Sequence, residues 1–373
     1  MMSQRRLLPL TVVLFSCGCS ALSPFGREHE QATIGSLTPS ELPAITATEA
    51  RSSRDAAMRN YEAFLDEAPD NVFVPEAMRR LADLHLANEQ DRLLEGHAPP
   101  HGQSRAAELY AELLQRFPDH QRNDSALYQL ARSHEQRGRA EPSMQALTSY
   151  TGKYKAGDKY DEVQFRRGEY LFVRRDYSQA EEAYQAVLEQ DKESSFHLQA
   201  LYKLGWARFK QNRYEPALNA YMNLLDRTIG AHDSATLPES IKRADMERLD
   251  DSLRAISLSF SYLGANEEIR EYFRQHGNRA YEPLLYAKLA ALHLSKERFT
   301  DAAETYSLFA DVHPQHREAP LFQSRVIDVY KQAGFSERVL EQKQAFIERY
   351  EPASDYWKQH DAAQSPEAVS YTH

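Results

Sequence analysis

Three stretches of this chain share one skeleton. SRAAELYAELLQRFPDH, SQAEEAYQAVLEQDKES and TDAAETYSLFADVHPQH each set a Tyr four residues after a small residue and an apolar residue seven after it. Two of the three add a Pro twelve after it. The small anchors fall at Ala106, Ser143, Ala180 and Ala217, each 37 residues after the last, with further copies at Ala57, Ala302 and Arg338. The 85 residues from Ala217 to Ala302 leave room for one more copy plus an insertion. Ahead of each anchor lies a second amphipathic helix, clearest in ALYKLGWARFKQNRYEPALNAYMNLLD over 200–226. A unit of this length is one helix pair that cannot bury its apolar face alone, so neighbouring copies must stack.

Composition agrees. Ala, Leu, Glu, Gln and Arg dominate, and these are helix formers. Val and Ile number only 12 and 8, too few for the buried strands of an all-β or parallel α/β fold. With 37 Tyr and Phe in 373 residues, the chain has a core to build and is not a disordered segment. The net charge of −10 argues against nucleic acid as partner, since phosphate binding wants a basic field.

The pattern resembles the tetratricopeptide repeat. The match rests on Leu204, Gly205, Tyr214, Ala217 and Tyr221, on Gly168, Tyr177, Ala180 and Tyr184, and on Leu289, Ala290, Phe299, Ala302, Tyr306 and Pro314. The resemblance implies an all-α, right-handed superhelical solenoid of seven to eight antiparallel helix pairs. Gly205 and Ala217 are expected where two helices cross closely, Tyr221 and Phe309 in the space between one pair and the next, and Pro314 at a helix end. There are departures: the period of 37 is longer than the family's, Arg338 replaces a small anchor, and the copy near 252–275 is irregular. The repeat domain is read as 51–352, with insertions at 91–103 and 227–249, the latter with a short helix after Pro238, and a polar tail at 353–373. The tail offers no capping helix unless Tyr356 and Trp357 fold back over the last repeat.

The opening, MMSQRRLLPLTVVLFSCGCS, reads as a lipoprotein signal peptide over 1–19. Arg5 and Arg6 precede a nine-residue apolar run, Leu7–Phe15, too short to span a bilayer. Leu14-Phe15-Ser16-Cys17 resembles a bacterial lipobox, with Cys19 as the alternative frame. In such lipoproteins the Cys carries the lipid and becomes the first residue of the mature chain. Neither Gly18 nor Ser20 resembles an inner-membrane retention signal, so the resemblance implies the periplasmic face of the outer membrane. A soluble periplasmic protein is the alternative. Residues 20–50, mixed and rich in Pro, Ser and Thr, read as a flexible tether. Both cysteines lie in this leader, so the body holds itself together without disulfides in an oxidising compartment.

No sequence motif for nucleotide binding, for a serine nucleophile or for a zinc protease is present. His97 and His101 could share a metal with His85 but read as solvent-facing loop residues. His313 and His316 read as turn residues around Pro314. Asp245, Glu247, Asp250 and Asp251 read as an acidic helix start. No catalytic residue, cofactor or small-molecule substrate is expected. In the repeat family the first helix of each pair lines a concave groove. The groove positions map onto Tyr128, Arg132, Glu169, Tyr202, Trp206 and Lys210, with Trp206 foremost because Trp is enriched at binding hot spots.

The expectation is a non-enzymatic scaffold binding a peptide or protein of the bacterial cell envelope, attached to the membrane by its N-terminal lipid. In architecture it resembles the lipid-anchored repeat proteins of barrel-protein assembly and of the Tol-Pal division system; export or motility machinery also uses such scaffolds. The alternatives are a wall-acting enzyme, with Glu169 as the acid to test, and a passive spacer.

Overall fold

The structure, a computed structural model, describes residues 47–96, 104–190, 194–230, 243–351 and 353–360. The chain divides into two compact units, Met1–Ala56 and Ala57–His373. The first contributes only the opening residues of helix α1 (Ala47–Glu67), which starts inside the stretch read as a tether. The leader, including Cys17 and Cys19, lies outside the described residues, as do His97, His101 and 361–373. Among the described residues there is no strand, and no helix is long and apolar enough to cross a membrane.

The second unit is a run of seven helix pairs. They are α2 (Val74–Leu94) with α3 (Arg105–Arg116), α4 (Asn123–Gln136) with α5 (Ala140–Lys153), α6 (Tyr160–Val173) with α7 (Tyr177–Leu188), and α8 (His197–Lys210) with α9 (Tyr214–Thr228). Then come α10 (Arg243–Leu263) with α11 (Asn266–His276), α12 (Glu282–Ser295) with α13 (Phe299–Val312), and α14 (Ala319–Gln332) with α15 (Ser336–Tyr350). A short α16 (Asp355–Gln359) follows. From α2 to α11 and from α12 to α16 each helix packs on the next in sequence, while α10 packs past α11 onto α12.

One turn repeats inside the pairs. A left-handed residue ends the first helix at Gly138, Arg175, Asn212, Glu297 and Gly334. The next N–H then reaches back five residues to a carbonyl: Arg139 to His134, Asp176 to Leu171, Arg213 to Arg208, Arg298 to His293 and Phe335 to Tyr330, all within 2.9–3.0 Å. This capping satisfies orphan carbonyls at the helix end and fixes the reversal. The pair α10/α11 keeps the five-residue reach, Ala265 to Phe260 at 2.7 Å, but two successive residues, Gly264 and Ala265, have positive φ there. There Gly264 and Ala265 both bond back to Phe260, and α10 packs more on α9 and α12 than on α11. Pro238 and the rest of 231–242 lie outside the described residues, and α10 covers 21 residues from Arg243.

The glycines of the first helices face the second helix of their own pair at close range. A Cβ on Gly205 would lie 2.5 Å from the Tyr221 ring, and one on Gly168 would lie 2.5 Å from the Tyr184 ring. The glycines make room for the aromatic of their own pair, so Tyr221 fills space within a pair, over Gly205. Phe309 does pack forward, 4.2 Å from Phe322 of α14.

The buried core is segmented. One cluster runs from Val74 to Val163, a second from Leu171 to Ala220, a third from Ala217 to Tyr330. The first two part within α6. A fourth cluster closes the C-terminal end: Tyr356 and Trp357 fold back on Tyr350, and the Trp357 indole N–H donates to the Tyr350 carbonyl at 2.9 Å. The tail therefore caps the array with its own aromatics. Most of α15 stays uncovered, with Leu340 and Ile347 exposed.

Candidate ligand-binding groove

The six groove candidates all stand on first helices: Tyr128 and Arg132 on α4, Glu169 on α6, Tyr202, Trp206 and Lys210 on α8. Helical spacing puts each set on one side of its helix. Most have partners on the neighbouring first helix. The Tyr128 hydroxyl donates to Glu162 at 2.7 Å. Burial pushes the Glu162 carboxyl up, but the bonds from Tyr128 and Arg166 outweigh it and hold the group below its ordinary value. Arg132 rests on the Tyr128 ring, 5.9 Å from its centroid, and Lys159 lies 5.6 Å over the same ring.

Glu169 accepts from the Tyr184 hydroxyl at 2.6 Å and from Lys203 at 2.8 Å. Burial and this bond raise the Tyr184 hydroxyl well above its ordinary pKa. Asp251, in α10, gathers the third set. It accepts from the Tyr202 hydroxyl at 2.6 Å and from the Trp206 indole at 3.0 Å. Burial and the Asp251 bond push Tyr202 up to about 12. Trp206 meets Phe209 and Tyr221 edge-on, and Lys210 sits exposed 5.5 Å over the Trp206 ring. So Tyr202 and Trp206 pack against the next pair through Asp251, which the sequence placed only in an acidic helix start.

Further ties continue along the face: Arg166 to Glu135 at 2.8 Å and Lys288 to Asp250 at 3.0 Å. Each such pair contributes about 0–1 kcal/mol. Their combined effect is to hold successive first helices in one register. Among the six groove candidates two cations stand out. Arg132 and Lys210 lie on aromatic rings and have no carboxylate partner among the described residues.

Two cavities adjoin the first helices. One of about 630 Å³ lies between α4/α5 and α6, walled by Leu147, Phe165, Tyr170, Val173 and Phe196, with Glu135, Arg166 and Arg174 around it. The other, about 520 Å³, is walled by Tyr61, Phe64 and Phe73. Sequence reading named neither. No grouping of three or more His, Cys, Asp or Glu suited to a metal occurs among the described residues. His85 lies 3.9 Å from Glu62. His313 is more than a turn residue: its Nε2 is 2.8 Å from the buried Glu282, tying α13 to the start of α12.

Residues 165–232 match the family model described as tetratricopeptide repeat. Similar solved structures are a MamA protein (16% identity, 54% of this chain and 90% of that one, TM-score 0.36), a tetratricopeptide repeat protein from Parabacteroides merdae (14%, 76% and 93%, 0.36), and the Pseudomonas aeruginosa pilF protein (13%, 78% and 99%, 0.31). At these values they say nothing of what this chain binds. No curated protein matches the sequence.

Proposed function

Residues 165–232 match the tetratricopeptide-repeat family model, and on that footing we propose that the chain is a non-enzymatic scaffold whose first-helix face receives a protein or peptide partner of a bacterial cell envelope. The observation that carries the reading is the pair of ring-supported cations, Arg132 on Tyr128 and Lys210 on Trp206. Arg, Tyr and Trp are the residues that dominate interface energetics, and the cross-helix bonds hold these in place before a partner arrives, which lowers the ordering penalty of binding. A groove so furnished suits an extended or helical segment with acidic groups. Glu169, the acid an enzymatic reading would need, is engaged by Tyr184 and Lys203.

The membrane side of the proposal rests on the leader. Lipid on Cys17, or on Cys19 in the alternative frame, would hold the repeats at the periplasmic face of the outer membrane. Metabolic labelling with a palmitate analogue tests this: label retained in both Cys17→Ser and Cys19→Ser but lost in the double variant would leave the frame open, and label absent from the parent chain would remove the anchor.

Partner binding is tested by in-cell photocrosslinking, with the photoreactive residue at Lys210 and a control at the exposed Glu182 of α7. A discrete adduct from Lys210 alone is expected, and mass spectrometry of it names the envelope system. Equal diffuse labelling from both positions would leave a passive spacer.

A further inference from the structure

Successive pairs answer one another residue for residue at a spacing of 37, and one pair lacks what its successors have. In α6/α7 three positions hold rings, Phe172, Tyr177 and Tyr184: Tyr184 sits over Gly168, Phe172 meets Tyr177, and Lys203 of α8 lies over the Phe172 ring. In α8/α9 the equivalent positions are Phe209, Tyr214 and Tyr221. The geometry repeats closely: Phe172 meets Tyr177 at 5.2 Å and 68°, and Phe209 meets Tyr214 at 5.3 Å and 67°. In α4/α5 the same three positions hold Glu135, Ala140 and Leu147. The 630 Å³ cavity lies there, with all three in its wall.

The opposite wall is ready for a ring. Phe165 and Phe196 stand 5.4 Å apart, and Val173 is 81% exposed beside them. The electrostatics complement an aromatic face as well. In the next pair Lys203 bonds to Glu169 and at the same time sits 5.5 Å over the Phe172 ring. Its counterpart Arg166 bonds to Glu135 at 2.8 Å and lines the cavity. A cation over the negative face of an aromatic ring is a favourable arrangement. The charges of the wall are already matched, Glu135 by Arg166, Glu169 by Lys203 and Arg174 by Glu141, so a charged ligand would find no unpaired group to meet. A cavity of this size falls in the range of ligand pockets.

We propose that the cavity between α4/α5 and α6 is a receptor for an aromatic side chain of a protein partner, which takes the place that Phe172, Tyr177 and Tyr184 fill from within in the following pair. The site deepens the scaffold reading and rests on it. It gives the partner a chemical requirement: a Phe, Tyr or Trp anchor within the segment that lies along the first helices.

Saturation-transfer difference NMR on the full chain tests this, with N-acetyl-L-tyrosinamide and N-acetyl-L-leucinamide as probes. Transfer to the tyrosine ring, saturable and well above that to the leucine methyls, is expected. The double variant Ala140→Tyr, Leu147→Tyr restores two of the missing rings and should abolish it. If that variant does not fold, Val173→Asp decides: at an exposed position it charges the cavity wall without disturbing the core, and it should also remove the transfer. Equal transfer to both probes, or tyrosine transfer unchanged in the folded variants, overturns the receptor. That failure alongside a crosslink specific to Lys210 would leave the scaffold standing and remove only the aromatic site.

Discussion

The ring of Tyr221 occupies the space that a side chain on Gly205 would need: a Cβ there would stand 2.5 Å from Cε1 of the ring. The ring is fully buried and Trp206 meets it edge-on at 6.4 Å, so it has nowhere to go. Gly205→Ala gains about 1 kcal/mol of helix propensity and loses about 1–3 kcal/mol to overpacking. The net expectation is destabilisation, read as a lower urea midpoint. In a Tyr221→Leu background the same change should lose much less, because α4/α5 already tolerates Ala131 with Leu147. A double-mutant cycle without coupling would refute the steric account. At the corresponding positions α12 and α13 carry Ala290 and Tyr306, so the repeat accepts an alanine there, and the Tyr306 ring lies 5.7 Å from Phe322.

The left-handed turn positions give a second test. Gly138 and Gly334 adopt φ of 66° and 75° without strain, whereas Arg175 and Glu297 are held at 64° and 57°. A left-handed L-residue pays roughly 1–2 kcal/mol of backbone energy, part of which glycine returns through its looser unfolded state. Arg175→Gly and Glu297→Gly should each raise the thermal midpoint, and Gly138→Ala should lower it. Calorimetry of the three variants decides, and a fall in midpoint for both glycine variants would contradict the turn analysis.

Acid sensitivity should trace in part to His293. It is fully buried, and neither ring nitrogen has a hydrogen-bond partner among the described residues. Burial, then Arg298, pushes its pKa below the ordinary value, with Asp301 opposing. The unfolded chain therefore binds the proton more readily. Stability is full above the unfolded value of about 6.5 and is lost as pH falls below it. His293→Leu should flatten the stability profile between pH 7.5 and 5.5, with His85 and His134, also lowered by burial, supplying the remaining slope. Glu76, held at about 2 by Arg79, acts only in a more acid range. An unchanged slope in the leucine variant would exclude His293.

The C-terminal cap should be locally required. Trp357 is buried, and the Tyr356 hydroxyl donates to the Arg317 carbonyl at 3.1 Å. Truncating a buried Trp removes about 3–5 kcal/mol, but in a linear array the loss falls on the nearest pair. Trp357→Ala should speed amide exchange in α14 and α15 and leave α2 to α9 unchanged. Uniform acceleration along the chain would indicate that the array unfolds as one block.

Much of this architecture could be read from residues alone. The small anchors, the Tyr four residues later and the 37-residue interval located the second helices, because close helix contact and a buried ring leave few alternatives at those positions. The irregular pair near 252–275 was also visible, since its small and aromatic residues fall out of phase. The groove was legible only by position. That Tyr202 and Trp206 share Asp251 requires contacts 49 and 45 residues apart, across an insertion whose length hides the register. The cavity was less visible still: Glu135, Ala140 and Leu147 are unremarkable singly, and matter only when stacking sets them opposite Phe165 and Phe196.

By itself, then, the sequence determined the helices, their pairing and the turns between them, because capping, helix periodicity and small-residue spacing act within one unit of 37 residues. Only the tertiary structure decided which face residues are tied and which remain open, that α15 is largely bare while Trp357 closes its end, and where the core divides. Those outcomes depend on side chains from separate repeats meeting in space, and no local interaction encodes them.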